Sequence, residues 1–237
     1  MKHRLTAAMD ARPMKIIALT VALAYLGLAH VSATERPDMP NLAAVMDARA
    51  WKLFHATAEN VETDGKRAVR LAAEGDSANG IVGLALPLTP GFRTGTIEVD
   101  LKGKNVRQRS FLGVAFNVID ERTFEAIYFR PFNFKAEEPV RGRSVQYVAW
   151  PENTWEHLRQ TAPGRFEQPV HPVPDPDSWF HARIEVTDRQ VRVFVDNAND
   201  PSLVVSRLLT GDKRRPAGLF VDSADGLYAN LRITPYE

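Results

Sequence analysis

Short runs of alternating apolar and polar residues fill the C-terminal part of the chain. Residues 179–186 read Trp-Phe-His-Ala-Arg-Ile-Glu-Val and residues 191–195 read Val-Arg-Val-Phe-Val, with a turn at 187–190 between them. Alternation with a period of two, broken about every ten residues by Asp, Asn, Gly or Pro, is typical of antiparallel strands with one buried face. The pattern predicts an all-β protein. Further C-terminal strands are expected at 203–208, 217–221 and 227–233.

Similar runs extend towards the N-terminus, which gives about a dozen strands in total. They cover 51–54, 67–71, 80–86, 94–101, 111–118, 125–129 and 144–150. A short helix is expected at 41–50, with Asn41 as its N-cap. No repeat or change in composition marks a second domain. We therefore expect a leader at 34–50 followed by a single sandwich domain at 51–237.

The segment 131–178 interrupts this rhythm. It contains one expected strand, an expected helix at 152–160, and then a proline-rich stretch. Proline fixes φ and lacks an N–H group, so this stretch should follow a stiff, extended path. A long ordered loop on a rigid sheet often carries function, although it can equally cover a sheet edge. The prolines are Pro163, Pro169, Pro172, Pro174 and Pro176.

The N-terminus has the pattern of a secretory signal. An uncharged apolar run at 16–29 follows Lys15 and precedes the small-x-small sequence Val31-Ser32-Ala33. The run is shorter than the roughly 20 residues that span a bilayer, so we expect cleavage after Ala33 rather than a permanent membrane anchor. The mature protein would then be secreted or periplasmic. Met14 is an alternative start, so residues 1–13 are either an over-extended start or a longer n-region.

Charge and cysteine content argue against nucleic-acid binding, disulfides and thiolate metal sites. The whole chain has a formal charge of +1, and removal of residues 1–33 leaves 26 basic and 28 acidic residues. No basic surplus then remains to favour nucleic acid. The absence of cysteine excludes disulfides and thiolate metal sites.

Several of these segments together resemble the concanavalin A-like lectin/glucanase superfamily, and within it the laminin G-like and 3-keto-disaccharide hydrolase-like domains. The resemblance implies a jelly-roll sandwich of two antiparallel sheets with one or two short helices. The superfamily includes lectins, glycosidases, lyases and adhesive modules, so the fold alone does not decide the function. The segments that carry the resemblance are 178–186, 191–196, 218–221, 228–233, 111–116 and 128–134.

One catalytic motif of this fold is incomplete. Family 16 glycoside hydrolases need a Glu, an Asp and a second Glu on alternate positions of one strand, because alternate residues share a face. Here Glu98 and Asp100 are followed by Leu101, Lys102 and Gly103. We therefore expect Glu98 and Asp100 to be solvent-facing strand residues.

Strand alternation separates a predicted core from a predicted binding face. Residues 112, 114, 116, 127, 129, 184, 186, 193 and 195 are expected in the core. The opposite face combines aromatic rings with planar hydrogen-bonding groups, which suits the C–H faces and hydroxyls of sugars. The alternative is an ordinary solvated face with Arg183 and Glu185 as cross-strand charges. The predicted ligand-binding residues are Asn117, Tyr128, Arg130, Gln146, Trp150, His181 and Arg183.

Three functions remain open at this point. The favoured one is a secreted protein that binds carbohydrate or a glycoside. The second is a glycoside hydrolase or lyase, for which His181 and Glu125 are the candidate catalytic residues. The histidine spacing matches no metal motif, so no metal or other cofactor is expected unless a divalent ion assists such an enzyme. The third is a cell-surface interaction module without sugar affinity.

Overall fold

Alternating strands make up most of the structure, as the sequence predicts. A computed structural model describes residues 37–75 and 79–236, so the predicted signal segment lies outside the described residues. Within them there is one α-helix, α1 (Trp155–Thr161), and short 3₁₀ turns occur at Leu42–Ala44, Pro131–Asn133 and Arg141–Arg143. The strands are β1 (Trp51–Phe54), β2 (Ala56–Thr63), β3 (Lys66–Ala73), β4 (Gly83–Pro87), β5 (Gly95–Lys102), β6 (Phe111–Phe116), β7 (Phe124–Phe129), β8 (Val145–Trp150), β9 (Glu167–Gln168), β10 (Phe180–Val186), β11 (Gln190–Val195), β12 (Leu203–Ser206), β13 (Gly218–Asp222) and β14 (Asp225–Pro235).

The strands form two antiparallel sheets of seven, each assembled from distant parts of the sequence. The first sheet has the order β1-β4-β13-β6-β7-β8-β9, and the second has the order β12-β11-β10-β5-β14-β3-β2. Their inner faces share one hydrophobic core. The predicted all-β sandwich of two antiparallel sheets is confirmed. None of the described helices is long and apolar enough to cross a membrane.

The core follows the predicted alternation. In β10, Phe180, Ala182, Ile184 and Val186 are buried, and the three residues between them are only partly buried. The predicted core positions of β6, β7 and β11 are also fully buried in the same cluster. A period of two therefore identifies the inner face of both sheets correctly.

The first sheet is apolar on both faces. Its outer face carries a second buried cluster that includes Leu84, Phe124, Val148 and Phe220. Part of the cover comes from the connection between β3 and β4, where a Cβ atom on Gly80 would lie 2.6 Å from the Trp150 ring. Glycine with a φ of +73° fits this position without that clash. Strands buried on both faces read as continuous apolar runs, as in β4.

Some local predictions were wrong, and hydrogen bonds of polar side chains and of the backbone explain two of them. The expected helix at 41–50 is only the 3₁₀ turn after Asn41, whose side chain accepts a hydrogen bond from the Ala43 amide. Further along, the Asp47 side chain accepts a hydrogen bond from the Arg49 amide and so competes with helical bonding. Helix α1 begins later than expected because Asn153 still pairs with Ala149 of β8. The segment 131–178 also contains β9, which was not predicted.

Candidate functional site

A cavity of about 370 Å³ opens on the outer face of the first sheet, near the ends of β7 and β13. Its volume is in the range of small-molecule sites. Because four arginines line it, we call it the arginine cavity: Arg107, Arg130, Arg143 and Arg159. Four aromatic side chains lie between them: Phe111, Tyr128, Phe132 and Trp155.

Strand and helix periodicity place these side chains together. Tyr128 and Arg130 are two residues apart at the end of β7, so both face outwards. Trp155 and Arg159 are four residues apart on α1 and so share one helix face. The Arg159 guanidinium lies 4.7 Å from the centre of the Trp155 ring. The Thr154 side chain caps α1 by accepting a hydrogen bond from the His157 amide.

Arg130 forms the rigid base of the cavity. Only 5% of this residue is exposed. Its Nη1 donates to the Arg143 carbonyl at 2.8 Å, and its Nη2 donates to Tyr128 Oη at 2.9 Å and to Gln146 Oε1 at 3.3 Å. Gln146 in turn donates to the carbonyls of Tyr147 and Phe166. These bonds fix the guanidinium before any ligand arrives.

Burial shifts the ionisation of both groups at this base. It lowers the pKa of Arg130 and raises the pKa of Tyr128 to about 12. Tyr128 is therefore protonated at neutral pH. Its oxygen accepts from Arg130, and its hydroxyl hydrogen can donate to a ligand oxygen.

One buried carboxylate faces three of the arginines. Glu167 on β9 accepts two hydrogen bonds from Arg159, at 2.8 and 2.6 Å. This bonding raises the pKa of Arg159. Glu167 is also 3.7 Å from Arg130 and 3.9 Å from Arg143, and these distances are too long for a hydrogen bond. Glu167 thus forms hydrogen bonds with only one of these three arginines.

A second cavity of about 340 Å³ adjoins the first. The two share Arg107, Phe132, Asn133 and Val140, so they lie side by side, and we call them together the groove. The far part of the groove is lined by Glu137 and Glu138 instead of arginines. The positive charge is therefore concentrated at one end.

The structure brings together only part of the predicted binding face. Tyr128 and Arg130 line the arginine cavity, while Gln146 lies beneath Arg130 and is 1% exposed. Trp150 is on the same outer face, stacked on Phe124 at a centroid distance of 6.3 Å, but it does not line the cavity. These four residues do belong to one face, as predicted.

Asn117 lies on the inner side, beside the candidate catalytic residue Glu125, which corrects its place on the predicted binding face. Asn117 has a φ of +51°, which ends the alternation of β6 and turns its side chain towards Glu125, 2.9 Å away. Glu125 is fully buried and paired with Arg207, and it accepts a hydrogen bond from Tyr147 Oη at 2.7 Å. A carboxylate enclosed in this way does not face the cavity, so the structure gives it no catalytic position there.

His181 and Arg183 are on the other sheet, which also corrects the prediction. They face outwards from β10, so the whole sandwich separates them from Tyr128. His181 Nδ1 is 2.8 Å from Asp100 Oδ1, and its Nε2 is 3.7 Å from Glu98 Oε1. Arg183 packs 3.7 Å above the Phe194 ring and pairs with Glu185. This arrangement agrees with the alternative interpretation, in which Arg183 and Glu185 are charges on a solvated face of the sheet.

Most of the cavity residues that the prediction missed come from connections, 3₁₀ turns and α1, whereas Phe111 and Asp222 are on β6 and β13. Arg107 is in the β5–β6 connection, Phe132 and Arg143 are in 3₁₀ turns, and Trp155 and Arg159 are on α1. Strand alternation gives no information about such positions. The signal that was present is the density of arginine and aromatic residues in 128–143 and 155–159.

Comparison with known proteins supports the fold. No protein-family model and no curated protein matches the chain. A provisionally assigned glycosyl hydrolase from Parabacteroides distasonis ATCC 8503 is 11% identical, with a TM-score of 0.50, and the match covers 83% of this chain and 93% of that one. The carbohydrate-binding module CBM66 from Bacillus subtilis is 14% identical, with a TM-score of 0.48 and coverages of 77% and 93%. The VIP36 exoplasmic/lumenal domain in its Ca²⁺/Man-bound form is 14% identical, with a TM-score of 0.49 and coverages of 86% and 91%. At 11% identity the Parabacteroides distasonis structure is evidence for the overall fold alone, and it agrees with the predicted β-sandwich.

Proposed function

We propose that the protein binds carbohydrate in the arginine cavity. The observation that carries the proposal is the combination of exposed aromatic faces with polar groups that are already held in place. Trp155 is 38% exposed and Phe132 is partly exposed, so both can contact a ligand. Arg130 and Tyr128 are fixed beneath them by the hydrogen bonds described above.

This combination suits a sugar because a pyranose presents an apolar C–H face and a ring of hydroxyl groups. Aromatic rings stack on the first, and directional donors and acceptors bind the second. Groups that are already fixed lose little conformational entropy on binding. The predicted signal at 16–33 supports a protein that meets its ligand outside the cytoplasm.

Binding is better supported than glycoside hydrolysis. A glycosidase of the usual kind needs two carboxyl groups roughly 5–10 Å apart across the scissile bond. Among the described residues that line the arginine cavity, Asp222 is the one carboxylate. The candidate catalytic residues Glu125 and His181 lie in the core and on the opposite sheet, respectively. The third alternative, an interaction module without sugar affinity, predicts no glycan binding and is tested by the same experiment.

The test is a titration of the purified protein with a panel of neutral and acidic oligosaccharides, followed by calorimetry. We expect binding by the wild type and about fivefold weaker binding by Trp155→Ala, because a stacking contact of about 1 kcal/mol is lost. Trp155→Phe keeps an aromatic face and should retain most of the affinity. Thermal unfolding of each variant checks that the fold is intact.

His181→Gln is the matched control for position, because it changes a polar residue on the opposite sheet. It should leave the affinity within about twofold, since distant sites act independently. Loss of binding in this variant, together with normal binding by Trp155→Ala, would move the site to the second sheet. No binding to any glycan in the panel would contradict the proposed function.

A further inference from the structure

The arginine cavity carries more positive charge than the neighbouring carboxylates neutralise. Its four arginines face two carboxylates, Asp222 in the lining and Glu167 behind it, which leaves a net charge of +2. We infer that the ligand is an acidic glycan whose carboxylate or sulfate group lies among these arginines. This inference rests on the proposed function and specifies the class of sugar.

The hydrogen bonds that each arginine already makes within the protein show which of them can bind a ligand. Arg159 is held by Glu167 through two hydrogen bonds, and Arg130 uses both terminal nitrogens within the protein. Arg143 has only the longer contact of 3.9 Å with Glu167, and its side chain is 39% exposed. Arg107 is exposed in the β5–β6 connection. Arg143 and Arg107 are therefore the groups that can turn their donors towards a ligand.

Guanidinium groups match this class of ligand in geometry as well as in charge. Their planar fork donates two parallel hydrogen bonds to a carboxylate or a sulfate, and these charge-assisted bonds are stronger than neutral ones. A neutral sugar would use the donors but would leave the charge of the buried Arg130 without an ionic partner closer than 3.7 Å. An anion compensates that charge.

The preference for an acidic group concerns the part of the ligand that occupies the arginine cavity. The adjoining cavity gives the groove room for more than one sugar unit, but Glu137 and Glu138 line its far part. Glu138 is paired with Arg141 at 2.9 Å, and Arg107 lines this part as well, so the charges here are nearly balanced. We therefore expect an acidic unit to occupy the arginine cavity, while the unit that extends along Phe132 contributes little to the preference for charge.

The experiment compares oligogalacturonate with its carboxyl-reduced, neutral counterpart, and a sulfated carrageenan oligosaccharide with its desulfated form. We expect each acidic form to bind at least tenfold more tightly, which corresponds to about 1.4 kcal/mol. The difference should shrink as NaCl is raised from about 0.05 to 0.5 M, because salt screens the attraction. The two pairs distinguish a carboxylate ligand from a sulfate ligand.

Two arginines of the same connection provide matched variants. Arg107→Gln removes a charge from the cavity, whereas Arg109→Gln removes an exposed charge two residues away that lines neither part of the groove. We expect Arg107→Gln to weaken acidic binding about fivefold or more, Arg143→Gln to do the same, and Arg109→Gln to change it less than twofold. Binding of neutral and acidic forms with equal affinity would overturn this inference and leave the proposed function standing. Failure to bind any glycan would overturn both.

Discussion

His181 shows how one residue can respond to pH in a sheet that is otherwise held by hydrophobic packing. Its hydrogen bond with Asp100 raises the pKa of His181, against a smaller opposite effect of burial. Burial alone would raise the pKa of Asp100, but hydrogen bonds from His181, Lys66 and Asn230 outweigh it and lower that pKa. Glu98, the second carboxylate beside the ring, adds to the shift of His181. The folded protein thus binds the histidine proton more tightly than the unfolded chain does.

The contribution of His181 to stability should therefore be largest in acid and should disappear in base. Below the ordinary histidine pKa of 6.5, the folded and unfolded states are both protonated, so the ion pair contributes fully. As pH rises through the raised pKa of the folded state, that contribution is lost. Urea unfolding of the wild type and His181→Gln at pH 5.5, 7 and 9 should show a difference that falls with pH. Asp100→Asn should remove most of this trend, and a difference that stays constant from pH 5.5 to 9 would contradict the assignment.

At the scale of one element, β10 shows how alternation divides a strand between two environments. It lies between β11 and β5, pairing with both over most of its length. Ile184 faces the core and is fully buried, whereas Arg183 and Glu185 lie on the outer face. The two faces of this strand therefore contribute to stability in different ways.

Ile184→Ala should reduce the free energy of unfolding by about 2–5 kcal/mol, because it leaves a cavity between the sheets. Val204→Ala on β12 is the matched control, since Val204 is 45% exposed and its truncation should cost less than about 0.5 kcal/mol. Chemical denaturation of both variants measures the two values. Equal losses of unfolding free energy in the two variants would mean that burial does not determine the cost of truncation.

Elements were predictable from the sequence where burial on one face imposes alternation. This held for β10 and β11 and failed for β2, an edge strand in which only Ala56 is buried. Strands β6 and β7 are buried on both faces and were predictable as largely apolar runs. Asn117 escaped the prediction because its positive φ reverses the side-chain direction, and nothing in the local apolar pattern encodes that torsion. Helix α1 was expected, but its role in the cavity depends on where the chain packs it.

At the scale of the whole molecule, the sequence did not reveal which strands share a sheet. Tyr128 and His181 have similar local patterns, yet β7 and β10 lie in different sheets. Each sheet also pairs strands from distant parts of the chain, such as β13 with β6 and β14 with β5, and pairing of this kind leaves no trace in a period of two. The predicted face therefore combined residues from opposite sides of the sandwich, and the arginine cavity emerged only from the three-dimensional arrangement.

The buried pair of Glu125 and Arg207 connects those two sheets. Glu125 is on β7 of the first sheet, and Arg207 follows directly after β12 of the second. Arg207 Nε is 3.1 and 3.2 Å from the two carboxylate oxygens, and its Nη1 donates to the Thr187 carbonyl at 3.0 Å. The Tyr147 hydroxyl bonds Glu125 and accepts from the Leu208 amide. This network fixes the edge of one sheet to the centre of the other.

Arg207→Met should destabilise the protein by about 3–5 kcal/mol, because it leaves a buried carboxylate without its partner. The double variant Glu125→Leu, Arg207→Met should recover much of that loss, since no isolated charge remains. Arg49→Met removes an exposed partner of Asp47 and should cost less than about 1 kcal/mol. Denaturant unfolding of the three variants tests this, and a double variant less stable than Arg207→Met would show that the charges are not the cause.

The arginine cavity is built partly from strands and partly from connections, and this affects how its ligand preference can change. Its base is built on β7, which also carries part of the core, whereas most of its walls come from the β5–β6 connection, the 3₁₀ turns and α1. Connections tolerate sequence change far better than buried strands do. Exchange of residues 104–109 and 135–143, which leaves the core residue Phe134 in place, should therefore change the ligand preference of the same sandwich.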